Sequence, residues 1–378
     1  IVSSSLPHEE VRIPFALRYD VWSIIEILLE NPNPTVEHEA QYGDKNMDPL
    51  TFSLNTVRGR AFHTLFKYIN WSRRALDVQD GTLESTAEVL PALEKHLQPA
   101  VDPSLAVRAV YGERLPSLIA FDPDWVTAHL NEFFPSSEEL AGIYKATWDT
   151  FIIWTQPYDN VFDLLREQYA LAIEKLGEES LYRSESAASH LSEHLIAFFA
   201  RKQIEYGEGL LHRFYQLASG SQAAHVLWFI ARILREGDVP PEVLERFKNL
   251  IEDRVANGTR EERVEFGWLF TCEKLEAEWR LGLLRDAVSS TKETDSDHAV
   301  LEGLAELSKQ FPRLTIETTI HLVDGADAEW KLQYWSPHLR SIITSAIEGQ
   351  ELELARLLVN KLAAKNLPDF RNLLSRGC

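Results

Sequence analysis

The chain has 378 residues, 45% of them apolar and 25% charged, a balance that fits a folded protein and excludes a disordered polymer. Lys plus Arg is 38 against 58 Asp plus Glu, and a formal charge of −20 repels a phosphate backbone, which disfavours nucleic acid as a partner. Glycine and proline number only 17 each, which points to long helices, and no apolar run reaches the ~18 residues that a membrane helix needs.

Helical periodicity dominates from end to end. It predicts helices over 16–30, 54–77, 85–97, 103–111, 113–120, 123–134, 137–154, 159–176 and 185–204. It continues over 208–218, 221–236, 241–256, 259–273, 275–289, 296–311, 313–323, 337–348 and 350–365. Phe162, Leu165, Tyr169, Ala172 and Leu176 step by three and four. Pro240 and Pro241 suit a first turn, and the stripe Val243, Leu244, Phe247, Leu250, Ile251 and Val255 follows. Asp102-Pro103 and Asp122-Pro123 each read as an N-cap followed by proline at the first helical position. The short β-branched runs Thr315-Ile316 and Thr318-Thr319-Ile320 are bounded by helical patterns and give no strand.

Two stretches break the pattern. Residues 31–53, with Asn31-Pro32-Asn33-Pro34, Gly43, Asp44 and Asp48-Pro49, read as a long polar loop. Residues 289–297, Ser-Ser-Thr-Lys-Glu-Thr-Asp-Ser-Asp, read as a linker. The expected fold is therefore all-α, a degenerate α-solenoid of HEAT- or TPR-like stacked helix pairs, each of about 35–45 residues. Residues 1–288 would form a helical-repeat module carrying the loop, and 298–378 a C-terminal helical subdomain. Two cysteines far apart, Cys272 and Cys378, make no disulfide framework and suit a reducing cytoplasm. The first residue is Ile1 and the single methionine is Met47, so the sequence reads as a piece of a longer polypeptide.

Candidate chemistry is sparse. His190-Leu191-Ser192-Glu193-His194 fits the H-x-x-E-H pattern, in which two histidines one turn apart grip zinc and the glutamate activates water. Glu262, Glu265 or Glu273 could be offered as a third ligand. The competing reading places both histidines at the border of the buried stripe Leu191, Leu195 and Phe198. Helix 54–77 carries Arg58, Arg60, Lys67, Arg73 and Arg74 with no acid between Asn55 and Leu76. Those five cations could receive an acidic ligand, or could pair with Glu37, Glu39, Asp44 and Asp48 of the preceding loop. There is no G-x-x-x-x-G-K-[ST], no G-x-G-x-x-G after a strand and no G-x-S-x-G, so no catalytic, cofactor or metal residue is assigned.

The stretch Asp48-Pro49-Leu50-Thr51-Phe52-Ser53-Leu54-Asn55-Thr56-Val57-Arg58-Gly59-Arg60-Ala61 resembles a D-P-x-T-x-S-I-N-T-V-R-G-x-A pattern of long bacterial proteins. Leu105-Ala106-Val107-Arg108-Ala109-Val110-Tyr111 and Asp122-Pro123-Asp124-Trp125 resemble another stretch of similar chains. These are the helical C-terminal regions of large STAND-type ATPases and related anti-phage defence proteins. The resemblance implies a non-enzymatic, cytoplasmic, protein-sensing module whose partners are a protein ligand or other domains of a longer chain. A structural scaffold and a zinc hydrolase are the alternatives.

Overall fold

The computed structural model describes residues 13–78, 82–179, 181 and 186–374, without the side chains of 42–46 and 368. Ile1, Cys378 and the Asp44 side chain thus lie outside the described residues. Within them every regular element is a helix, and the chain is all-α.

Two compact units divide at His194/Leu195. The first holds α1 (Arg18–Leu29), α2 (Val36–Asn46), α3 (Pro49–Ser53), α4 (Val57–Ala75), α5 (Leu90–Leu97), α6 (Leu105–Phe121), α7 (Pro123–Ala128), α8 (Leu130–Phe133), α9 (Ala141–Trp154) and α10 (Asp159–Glu174). Helix α11 (Ala187–Ala200) contains the division. The second unit continues with α12 (Gly209–Leu217), α13 (Gly220–Glu236), α14 (Pro241–Asn257), α15 (Arg260–Phe270) and α16 (Ala277–Thr291). It ends with α17 (Asp297–Leu307), α18 (Pro312–Gly325), α19 (Glu329–Glu348), α20 (Leu352–Ala364) and α21 (Arg371–Leu374).

The first unit is built around α4 and α6. Helix α1 packs on α4, while α3 and α9 pack on α6. Phe62, Leu65, Phe66 and Ile69 are buried along α4, and α6 is buried on nearly every side. That burial explains one difference from the sequence reading. A break was expected near Gly112, yet α6 runs unbroken through Gly112 and Pro116. Tertiary packing overrides the poor helix propensity of both residues. A β-carbon at position 112 would collide with the Thr147 carbonyl of α9, so glycine here sets how closely α6 and α9 approach.

The expected loop 31–53 is largely helix. Thr35 caps α2 by accepting from the His38 backbone N–H (3.2 Å). Asp48 caps α3 through Thr51 N–H (2.8 Å), with Pro49 in its first turn. Helix α2 is too polar and α3, at five residues, too short to show a periodic apolar stripe. Asp122 caps α7 as expected, but Asp102 caps nothing: Ser104 is the cap of α6.

The second unit is a two-layer stack, the solenoid arrangement that the periodicity predicts. Helices α13, α15, α17, α19 and α21 touch in succession as one layer, and α14, α16, α18 and α20 as the other. Residues 289–297 lie inside this unit and do not behave as a linker. Thr291 and Thr294 are buried, and the Asp295 backbone N–H donates to the Val264 carbonyl (2.9 Å). Helix α19 begins at Glu329, eight residues before the expected start at Pro337, because buried Leu332 and Trp335 hold its first turns.

Candidate functional site

The segments that carry the resemblance form one corner of the first unit. Asn33 satisfies the start of α4, accepting Val57 N–H on its side chain (2.9 Å) and Arg58 N–H on its carbonyl (2.8 Å). Glu39 does the same for α6, accepting from Ser104 Oγ (2.5 Å), Leu105 N (2.9 Å) and Ala106 N (3.1 Å). A carboxylate at a helix N-terminus is favoured by the macrodipole as well as by these bonds. Arg58 donates to the carbonyls of Asn31 and Pro34 (2.9 Å each) and to Asp102 (3.1 Å), whose other oxygen meets His96 Nδ1 at 2.8 Å. Arg108, fully buried, donates to the Leu97 and Glu132 carbonyls.

The five cations of α4 separate into two groups. Arg58 and Arg73 turn inward; Arg73 donates to the Thr82 carbonyl (2.9 Å) and lies over the Phe121 ring (4.9 Å). Arg60, Lys67 and Arg74, seven residues apart, share an exposed face about 21 Å long at 1.5 Å per residue. Of the acids expected to pair with them, Glu39 is engaged at α6 and Asp48 at α3. Arg58 therefore pins the segment through carbonyls and Asp102, while Arg60 takes no part in the pinning.

The H-x-x-E-H pattern does not make a metal centre. His194 is buried; its Nε2 donates to the Thr155 carbonyl (3.1 Å), which fixes the tautomer, and its Nδ1 meets the Tyr169 hydroxyl at 2.7 Å. No lone pair is left for a cation. His190 sits 3.6 Å from Glu193 on the same helix. Of the third ligands considered, Glu262 is fully buried and gripped by Nε and Nη2 of Arg254 (2.7 and 2.9 Å) and by Thr259 N–H (2.7 Å). Glu273 is exposed.

Glu265 leads to the feature that the sequence reading missed. A cavity of 540 Å³ opens between α13 and α15, closed on one side by the turn between α16 and α17. Ala224, Trp228 and Val264 give its lining apolar surface, and Glu265 and Asp295 are among the carboxyl groups on it. His225 stacks on Trp228 (ring centroids 5.0 Å apart, 28° between planes), and Arg232 lies 5.2 Å from the same indole. Arg260, also on the lining, is bound to Glu293 at 2.7 Å. Burial, helped by a hydrogen bond to Asp295, pushes the Glu265 carboxyl up to about 7 from its ordinary 4.5. The turn sits this close because residue 267 is glycine: a β-carbon there would overlap the Asp295 carbonyl and the Thr294 hydroxyl. Left-handed Lys292 and Ser296 bracket the turn. Gly267 in mid-helix was the one available signal.

The layer that carries this cavity is rich in aromatic and histidine rings. Arg235 of α13 lies over Trp268 of α15 (4.8 Å). Across α17 and α19, His298 stands 4.5 Å from Tyr334 and 5.3 Å from His338. Trp330 is 70% exposed and Tyr334 58% exposed. Among the described residues no helix is long and apolar enough to cross a membrane. No protein family, no curated protein and no solved structure matches this chain.

Proposed function

We propose that this chain is a non-enzymatic helical-repeat module that recognises a protein partner on the layer formed by α13, α15, α17 and α19. The observation that carries the reading is the exposure of Trp330 and Tyr334 on that layer. Large aromatic side chains left in solvent on a regular helical face are the residue types that anchor protein interfaces. The stack supports it, because neighbour-only packing creates an extended face. The resemblance of residues 48–61 and 105–125 gives the reading its specific form, a trigger-sensing region of a cytoplasmic bacterial defence protein. The buried free thiol of Cys272 suits a reducing setting.

The test is site-specific photo-crosslinking in cells of the source organism. A crosslinker at position 330 is expected to trap a discrete protein, and one at exposed Leu357 of α20, on the opposite layer, is not. Identical products from both positions, or none from 330, would remove the reading and leave a scaffold role.

A further inference from the structure

We propose that the cavity between α13 and α15 receives the side chain of a lysine or arginine from the partner, its stem against Trp228, Ala224 and Val264 and its cationic head on the Glu265–Asp295 carboxyl pair. This deepens the recognition reading and rests on it. The lining is amphipathic, as such a side chain is: it combines apolar surface on α13 and α15 with the carboxyl groups of Glu265 and Asp295. The other charges at the cavity leave the lining anionic. Arg260 is neutralised by Glu293 (2.7 Å), Glu261 adds an acid on α15, and His225 of α13 is stacked on Trp228. The stack of His225, Trp228 and Arg232 holds the wall in place before anything binds, which lowers the ordering cost of association.

The carboxyl pair adds a pH dependence of definite sign. With Glu265 pushed up to about 7, the pair holds a proton below neutrality. A cation arriving then displaces that proton to solvent, so the affinity should fall by up to about tenfold per pH unit below 7 and level off above it.

The test uses Nα-acetyl-lysine amide as the probe and the Trp228 indole N–H resonance, assigned through Trp228→Phe, as the reporter. That resonance is expected to shift with the lysine probe and not with the neutral Nα-acetyl-norleucine amide. The effect should weaken on acidification, and Glu265→Gln should reduce it several-fold and abolish its pH step. Asp295→Asn serves as the second variant if Glu265→Gln melts early. A response to norleucine equal to that of lysine, a response to calcium in place of the ammonium probe, or full binding by both variants would overturn the proposal. A partner trapped at position 330 that leaves Trp228 unmoved would sink the pocket assignment alone; the absence of a trapped partner would sink the recognition reading instead.

Discussion

At the scale of single residues, Arg58 joins three parts of the first unit: the Asn31–Pro34 carbonyls, its own helix and Asp102. Arg58→Ala leaves the buried Asp102 carboxylate with only His96 and the Ser104 backbone N–H, and frees two carbonyls. It is expected to cost about 3 kcal/mol and to open the chain to protease between Asn31 and Asp48 before other sites. A melting curve unchanged from the parent would show the anchor to be dispensable. His63 offers a test against pH. Burial, with Arg114 and Lys67 nearby, lowers its pKa to about 4 from an ordinary 6.5. Between those values the unfolded chain holds a proton that the folded one does not, so this residue's share of stability is full above about 6.5 and falls as the pH drops toward 4. Burial raises neighbouring Glu113, which works in the opposite sense. The measurement is therefore the difference in denaturation midpoint between the parent and His63→Gln, which should narrow as the pH falls through that window. A constant difference would refute the neutral buried imidazole.

At the scale of elements, the crossing of α6 and α9 sets helix propensity against packing. In an isolated helix Gly112→Ala would gain about 1 kcal/mol. In this fold the new methyl group meets the Thr147 carbonyl, and overpacking of this kind costs about 1–3 kcal/mol. Stability is thus expected to fall, and a rise in melting temperature would mean that the helices can separate at no cost. The same contest explains what the periodicity could and could not show. Long helices such as α4, α10, α14 and α20 were legible because each buries one stripe. Helices α2 and α3 were not, since their caps and the remote partners of Asn33 and Glu39 define them. The break assigned within α6 and the late start of α19 arose from reading glycine and proline as local breakers where the core holds the helix together.

At the scale of the whole molecule, the second unit's layers predict limited propagation of damage. Leu358 of α20 is fully buried. Leu358→Ala should cost roughly 2–5 kcal/mol by leaving a cavity. In a neighbour-coupled stack its effect should concentrate in α18, α19 and α20. Hydrogen exchange is expected to quicken there while α13 and α15 keep their protection. Uniform acceleration through the unit would mean that it unfolds as one cooperative block.

The sequence alone determined the all-helical class, the stacking of short-connected helix pairs and the division of α4 into cationic and apolar positions. These follow from the 3.6-residue period, which is a local property of the chain. Which cations face inward was not local: Arg58 and Arg73 find carbonyls, Asp102 and a ring supplied by distant segments, whereas Arg60 and Arg74 stay exposed. The zinc pattern was legible as letters, but only the fold brings Tyr169 and Thr155 to His194 and uses both its nitrogens. The cavity is the clearest case. Glu265 and Asp295 are thirty residues apart, and the segment holding Asp295 is polar enough to read as a linker. Tertiary packing lays that turn over Gly267, because a missing β-carbon lets two backbones approach; the mid-helix glycine marks a close contact in the sequence, but not which segment makes it.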